Sequence, residues 1–166
     1  LDVSDPTAPA LVGEVAVDHP WRIVPAGDVV YVMSSESPPL VIDVADPTAP
    51  TIVGQLPAVA GAWDLRVVDD LAHVVSTVGL EIIDVTDPTA PIPVSVLPVP
   101  GIAVGIAVSG DLAYVATREH GTHVIDVATP AGPVLHGTVD IPGIPWRLDE
   151  YADRLVAVSN LGSLYI

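Results

Sequence analysis

The sequence predicts an all-β chain built from four copies of one unit, on three observations. First, one motif returns at a nearly fixed step. LDVSDPTAP starts at Leu1, IDVADPTAP at Ile42, IDVTDPTAP at Ile83 and the looser IDVATPAGP at Ile125, so the steps are 41, 41 and 42 residues and 42 remain to the end. Second, two further columns keep the same step: GDVVYV (27–32), DDLAHV (69–74), GDLAYV (110–115) and ADRLVA (152–157), then HPWRI (19–23), GAWDL (61–65), IAVGI (102–106) and IPWRL (144–148). Third, half of the residues are hydrophobic and rich in Val and Ile, while 18 Pro and 13 Gly interrupt too often for the paired helices of helical repeats.

A unit of this length holds about four strands of ~6 residues joined by about four connections of ~4. That is the make-up of a β-propeller blade, and the units read 1–41, 42–82, 83–124 and 125–166 of a single propeller or propeller segment. In the second unit the spacing predicts an outer strand over 51–56, an inner strand near the axis over 62–67, and middle strands over 71–76 and 80–85. The second proline of each turn (Pro9, Pro50, Pro91, Pro133) opens an edge strand, where a missing N–H does least harm. Near-continuous apolar runs such as LEIIDV fit a sheet covered on both faces.

Eleven of the 21 acids recur by position: Asp2, Asp5, Asp43, Asp46, Asp84, Asp87 and Asp126 in the turn, and Asp28, Asp70, Asp111 and Asp153 in the second column. An Asp before Pro accepts a hydrogen bond from the backbone N–H two residues on and starts a turn, so these acids are read as structural. Calcium is disfavoured because it takes six or more oxygens and no DxDxDG-type loop occurs.

One unit cannot bury both of its faces, so an arc of four blades must be closed at its ends. A four-bladed ring, two chains forming an eight-bladed ring, or blades from a longer chain would each do so, and seven or eight blades in total are favoured. Residues 163–166 read as the start of a middle strand that 1–3 continue. Residues 10–17 then form the outer strand of the blade begun by 146–159, a clasp that removes a sheet edge. The start at Leu1 without a signal-like segment, and the end within an apolar run, suggest a piece of a longer chain.

The I-D-V-x-D-P-T-A-P core, the V-G shortly after it and G-D-x-A-Y-V further on resemble the LVIVD repeat over the whole chain. The fourth copy departs most, with Ala128-Thr129 in the turn, and the third carries Val104 where the others have Trp. The resemblance implies a bacterial or archaeal β-propeller, extracellular or at the cell surface, and no catalytic residues.

Charge and composition exclude several classes of function. Five Arg, no Lys and a net charge of −16 disfavour a nucleic-acid groove or an anionic membrane surface. Without Cys there is no disulfide, thiolate nucleophile or Cys-ligated metal. The longest nearly uncharged run, 92–108, contains Pro93, Pro98 and Pro100 and is no membrane helix, so no membrane insertion is expected. No nucleophile elbow, HExxH, P-loop or GxGxxG occurs, and neither a catalytic constellation nor a cofactor is expected. His120 and His123 lack a third ligand at useful spacing; with His136 they read as loop or edge residues, and His73 as a packed strand residue. Ser34, Ser35, Glu36 and Ser37 form a polar rim loop, and the adjacent Asp149 and Glu150 point to opposite faces.

The inner-strand column offers a candidate site. Trp21, Trp63 and Trp146 align, followed by Arg22, Asp64, Gly105 and Arg147, and Arg66 also lies on an inner strand. If these strands line the axis, Arg22, Asp64 and Arg147 meet near one channel mouth. They would form a small pocket for an anionic or sugar-like ligand with Trp faces as walls, or ion pairs between blades. The function expected is a non-enzymatic binding or scaffolding module. It would engage a protein at rim loops (34–39, 78–79, 118–123, 160–162), or a small ligand at the mouth. A propeller hydrolase or lyase acting at the mouth, and a purely structural unit assembling as an eight-bladed dimer, are the alternatives.

Overall fold

The structure, a computed structural model, describes residues 1–35, 37–57, 61–151 and 154–166. Blade 1 comprises β1 (Pro20–Ala26), β2 (Val29–Ser34), β3 (Leu40–Asp43) and β4 (Thr51–Gln55). Blade 2 comprises β5 (Asp64–Val68), β6 (Leu71–Ser76), β7 (Gly79–Asp84) and β8 (Ile92–Leu97). Blade 3 comprises β9 (Ala103–Ser109), β10 (Leu112–Thr117), β11 (Gly121–Asp126) and β12 (Val134–Val139). Blade 4 comprises β13 (Pro145–Tyr151), β14 (Arg154–Ser159) and β15 (Leu164–Tyr165). Within each blade, consecutive strands pair antiparallel. Successive blades stack face to face around an axis lined by β1, β5, β9 and β13, a four-bladed β-propeller. Among the described residues, no helix is long and apolar enough to cross a membrane.

The strands fall where the repeat puts them, within a residue or two. A blade straddles two sequence units, because the outer strand of one blade comes from the unit that supplies the inner strands of the next. Pro50, Pro91 and Pro133 stand directly before β4, β8 and β12, as expected of residues without an N–H. The pairing of third and outer strands slips at the same place in every complete blade, between Val41 and Ile42, Ile82 and Ile83, and Val124 and Ile125. This recurrent bulge bends the outer strand away from the ladder.

The turn acids act locally. Asp2, Asp5, Asp43, Asp46, Asp84, Asp87 and Asp126 each accept the N–H of the residue two positions on, at 2.8–2.9 Å. Asp5, Asp46 and Asp87 also accept the hydroxyl of Thr7, Thr48 and Thr89. That hydroxyl first, and the amide second, hold these three carboxyls below their ordinary pKa. In the fourth copy Thr129 replaces the acid, yet the turn survives: Gly132 N donates to Thr129 O at 2.9 Å, as Ala49 N does to Asp46 O at 3.0 Å. Asp153, placed in the second column, and Glu36 lie outside the described residues.

Three hydrophobic cores fill the seams between blades 1 and 2, 2 and 3, and 3 and 4. Equivalent residues measure each seam. On the inner strands Leu65, Ile106 and Leu148 are 0% exposed, whereas Ile23 at the same position of blade 1 is 64% exposed. Facing the following blade, Met33, Val75 and Ala116 are at most 1% exposed, whereas Val158 of blade 4 is 48% exposed. Blades 4 and 1 therefore do not share a packed seam.

The expected clasp is accordingly not formed within this chain. Among the described residues β15 pairs with β14 alone, and residues 10–17 form no strand on blade 4. The N-terminal segment lies against blade 1 instead. A Cβ on Gly13 would run into the carbonyl of Pro47, just as one on Gly54 would run into that of Pro88, and both pairs are one repeat apart. With no packed seam between blades 4 and 1, the segment is seated on blade 1 and not on β15.

Two outcomes test this description. Leu65→Ala should destabilise the fold by about 2–5 kcal/mol in urea unfolding, since it opens a cavity in a fully packed seam. The depressed pKa values of Asp5, Asp46 and Asp87 confer stability that is present above the ordinary carboxylate range and lost as pH falls through it, around pH 4 and below. An Asp46→Asn/Asp87→Asn variant keeps the turn acceptor and removes the titration, so its melting temperature should fall less steeply than that of the parent between pH 5 and pH 2.5.

Candidate functional site

Each inner strand enters the hub from one end of the propeller. The loops joining second to third strands lie at that same end, so they frame the channel mouth together. The aligned position of the inner strand carries Arg22, Asp64, Gly105 and Arg147 in turn. Asp64 is 1% exposed. Its Oδ1 accepts Arg22 Nη2 at 2.8 Å, Arg66 Nη1 at 3.1 Å and the Leu65 N–H at 2.6 Å, while Oδ2 accepts the Ile106 N–H at 3.2 Å. Arg66 also donates through Nη1 to Leu65 O at 3.0 Å, and reaches across through Nη2 to Leu148 O at 2.9 Å. One carboxylate thus receives donors from blades 1, 2 and 3, and its partner guanidinium binds blade 4.

Burial pushes the Asp64 carboxyl up, against the pull of Arg66, Arg22 and the two amides. Burial likewise pushes Arg22 down, opposed by Asp64 and reinforced by the positive charges of Arg66 and Arg147. Arg147 stays exposed, near enough to act on Arg22 through its charge. Of the three charged residues expected to converge, Arg22 and Asp64 form a direct pair; Arg66, not counted among them, completes it.

The tryptophans stand at the mouth in different settings. Trp21 and Trp146 are nearly half exposed, and Trp63 packs against the core between blades 3 and 4. The Arg118 guanidinium lies over both Trp63 and Trp146, 4.7 and 5.3 Å from their ring centroids, a paired cation–π contact. Arg118 sits in the loop between β10 and β11, anchored by its N–H to Ile102 O at 3.0 Å. Trp21 and Trp63 wall an open cleft of ≈ 240 Å³ with Ser35, Gly61 and Ala62. Three donors near this end, Arg22 Nε, Trp63 Nε1 and Arg118 Nε, are buried without a hydrogen-bond partner among the described residues. Sequence reasoning placed Arg118 in a rim loop but missed its stacking, because it belongs to one unit only and no column reveals it.

The remaining candidates have local roles. His123 is buried and tied on both nitrogens, Nδ1 to Thr138 Oγ1 at 2.8 Å and Nε2 to Pro100 O at 2.9 Å. His136 contacts Asp126 at 3.3 Å. His73 is packed within β6, and burial pushes its pKa down. Ser34 donates to Asp18 O at 2.7 Å, and Glu150 accepts Ser109 Oγ at 2.7 Å across the seam between blades 3 and 4. Among the described residues no group of three or more His, Cys, Asp or Glu is placed to hold a metal ion.

Fold and repeat together define a β-propeller assembled from near-identical blades. The profile described as LVIVD repeat matches residues 1–17, 21–56, 61–96 and 100–141, and the chain belongs to that family. No curated protein matches the sequence. Among solved structures, the computationally designed Ika4 protein is similar at 12% identity and a TM-score of 0.74, over 95% of this chain and 96% of that one. A chain from the complex of an S. cerevisiae Dbp5 variant with Nup159, a Gle1 variant, IP6 and ADP aligns at 13% identity and a TM-score of 0.61, over 93% of this chain. The N-terminal domain of Nup159 aligns at 10% identity and a TM-score of 0.53, over 84% of this chain. At such identities the likeness is one of fold. This chain spans 42% and 38% of the last two.

Replacing Asp64 by Ala strands two largely buried guanidiniums and should cost about 3–5 kcal/mol in chemical denaturation. Arg147→Met, at an exposed position, should change stability by less than about 0.5 kcal/mol in the same measurement.

Proposed function

We propose that this chain is a non-enzymatic binding and scaffolding module whose channel mouth takes a small anionic or sugar-like ligand. One observation carries the reading: three buried N–H donors without acceptors among the described residues stand near the mouth, beside exposed indole faces. Acceptor-rich ligands satisfy orphaned donors, and sugar rings stack on aromatic faces. Four of the five arginines lie at the mouth or on the hub strands behind it, so an anion meets positive charge there despite the acidic total. Protein partners would meet the same end through the loops that differ between units, including 118–123 and 160–162. Export to the cell surface is proposed from the family resemblance. The acidic, Lys-free composition supports partners other than nucleic acid or membrane.

Glucuronate, a sugar bearing a carboxylate, is the probe. It should quench the fluorescence of the tryptophans saturably, and glucose should do so more weakly. Arg147→Met should weaken glucuronate binding at least tenfold with an unchanged melting temperature. Glucuronate binding equal to that of the parent in Arg22→Met and Arg147→Met, with a lower melting temperature in the former, would instead assign the arginines to holding blades together.

A further inference from the structure

We infer that the unpacked seam is the docking surface for a second copy of this chain. Two copies then close one eight-bladed ring, in which two blades are each built from both chains. The surfaces on the two sides of the seam are those that pack elsewhere in the molecule. Ile23 occupies the position at which Leu65, Ile106 and Leu148 are fully buried, and Val158 the position of Met33, Val75 and Ala116. Blade 4 of one copy placed on blade 1 of another repeats an interface that each chain already makes three times.

The N-terminal segment is set out to serve that blade. The Asp2–Ala10 bridge lies one repeat before the Asp43–Thr51 pair that joins β3 to β4, and reproduces its register. By register, residues 1–3 and 10–17 thus correspond to the end of a third strand and to an outer strand, held beside blade 1 where a preceding blade would lie. Between this segment and blade 1 lies an apolar cavity of ≈ 440 Å³, bordered by Val12, Ile23, Val30, Val32 and Ile42 among others. Among the described residues blade 4 has no outer strand, and Ile166, just after β15, holds the repeat position immediately before that of Leu1. By repeat register, β15 of one copy and residues 1–3 of the other would lie along one third strand of the shared blade.

Gly137 reports the same gap independently. Gly13 and Gly54 face the turn carbonyls of Pro47 and Pro88, and Ser95 at the same position donates to Pro130 O at 2.5 Å. Gly137 is the next member of this series, and a Cβ there would meet no atom within 4 Å. By repeat register its partner is Pro6. The Pro6 turn of its own chain is not there, so the turn of a second copy fits the place. Ring size selects the number of copies. Propellers run from about four to eight blades, so chains of four close singly or in pairs. Single closure would bury Ile23 and cover Gly137. The pairing is head to tail, and a two-fold axis closes it into a ring.

Light scattering on the purified 166-residue chain should give twice the 17.1 kDa of one chain, without larger species. Gly137→Arg points into open space within its own subunit, so circular dichroism should be unchanged while the dimer dissociates at least ten times more readily. Ile23→Glu should act in the same direction from the opposite side of the seam. A monodisperse monomer of the parent chain, an open polymer, or a Gly137→Arg variant that dimerises as tightly as the parent would each overturn the inference.

Discussion

The buried carboxylate of Asp64 is the constraint around which the hub is organised. A repeat built only on its own pattern would place four equal side chains about the axis, and four like charges there would repel. The chain instead puts Arg, Asp, Gly and Arg at the aligned position. The single acid accepts from two guanidiniums, and from the amide of Ile106 on the strand where Gly105 brings no side chain. Desolvating a carboxylate is costly unless its lone pairs are filled, and here four donors fill them. Arg66 extends the bond to Leu148 O, so departure from repeat symmetry at the centre connects blades whose outer parts follow it closely.

Away from the hub, cohesion comes from faces. Valine and isoleucine fit a pleated surface and pack densely against a neighbouring sheet, which explains why middle strands such as β6 and β7 are buried along nearly their whole length. A blade is consequently only as stable as the neighbours that cover it, and burial at equivalent positions separates the three packed seams from the one that is not. Charge is segregated along the axis as well. The repeated aspartates sit on the turns at one end, and four of the five arginines lie toward the other or on the hub strands, so the molecule carries a marked axial asymmetry within its net charge of −16.

The all-β propeller, the positions of its strands and the Asx turns were legible in the sequence, because each is local and repeats. Three aligned columns place β4, β6 and β7 almost to the residue, and the Asp–Pro dipeptides imply the hydrogen bonds observed. The pairing of Arg22 with Asp64 was within reach, since both occupy one column of an axis-lining strand. The stacking of Arg118 over Trp63 and Trp146 was not, because Arg118 lies far from both in sequence and has no counterpart in the other units. The clasp was misplaced for a related reason. Repeat register aligns residues 10–17 with the outer strands and says nothing of whether blade 4 of the same chain packs against blade 1. The recurrent bulge beside Ile42, Ile83 and Ile125 leaves no mark in composition, since the extra residues, Val53, Val94 and His136, share no common chemistry.

The turn around Thr129 has a wider consequence. It closes with the same backbone bond as its three counterparts although the aspartate before the proline is gone. Backbone shape in that loop and the electric field it projects are therefore separable properties. A lineage carrying this repeat is free to retune the potential at one pole, residue by residue, while the architecture beneath stays as it is.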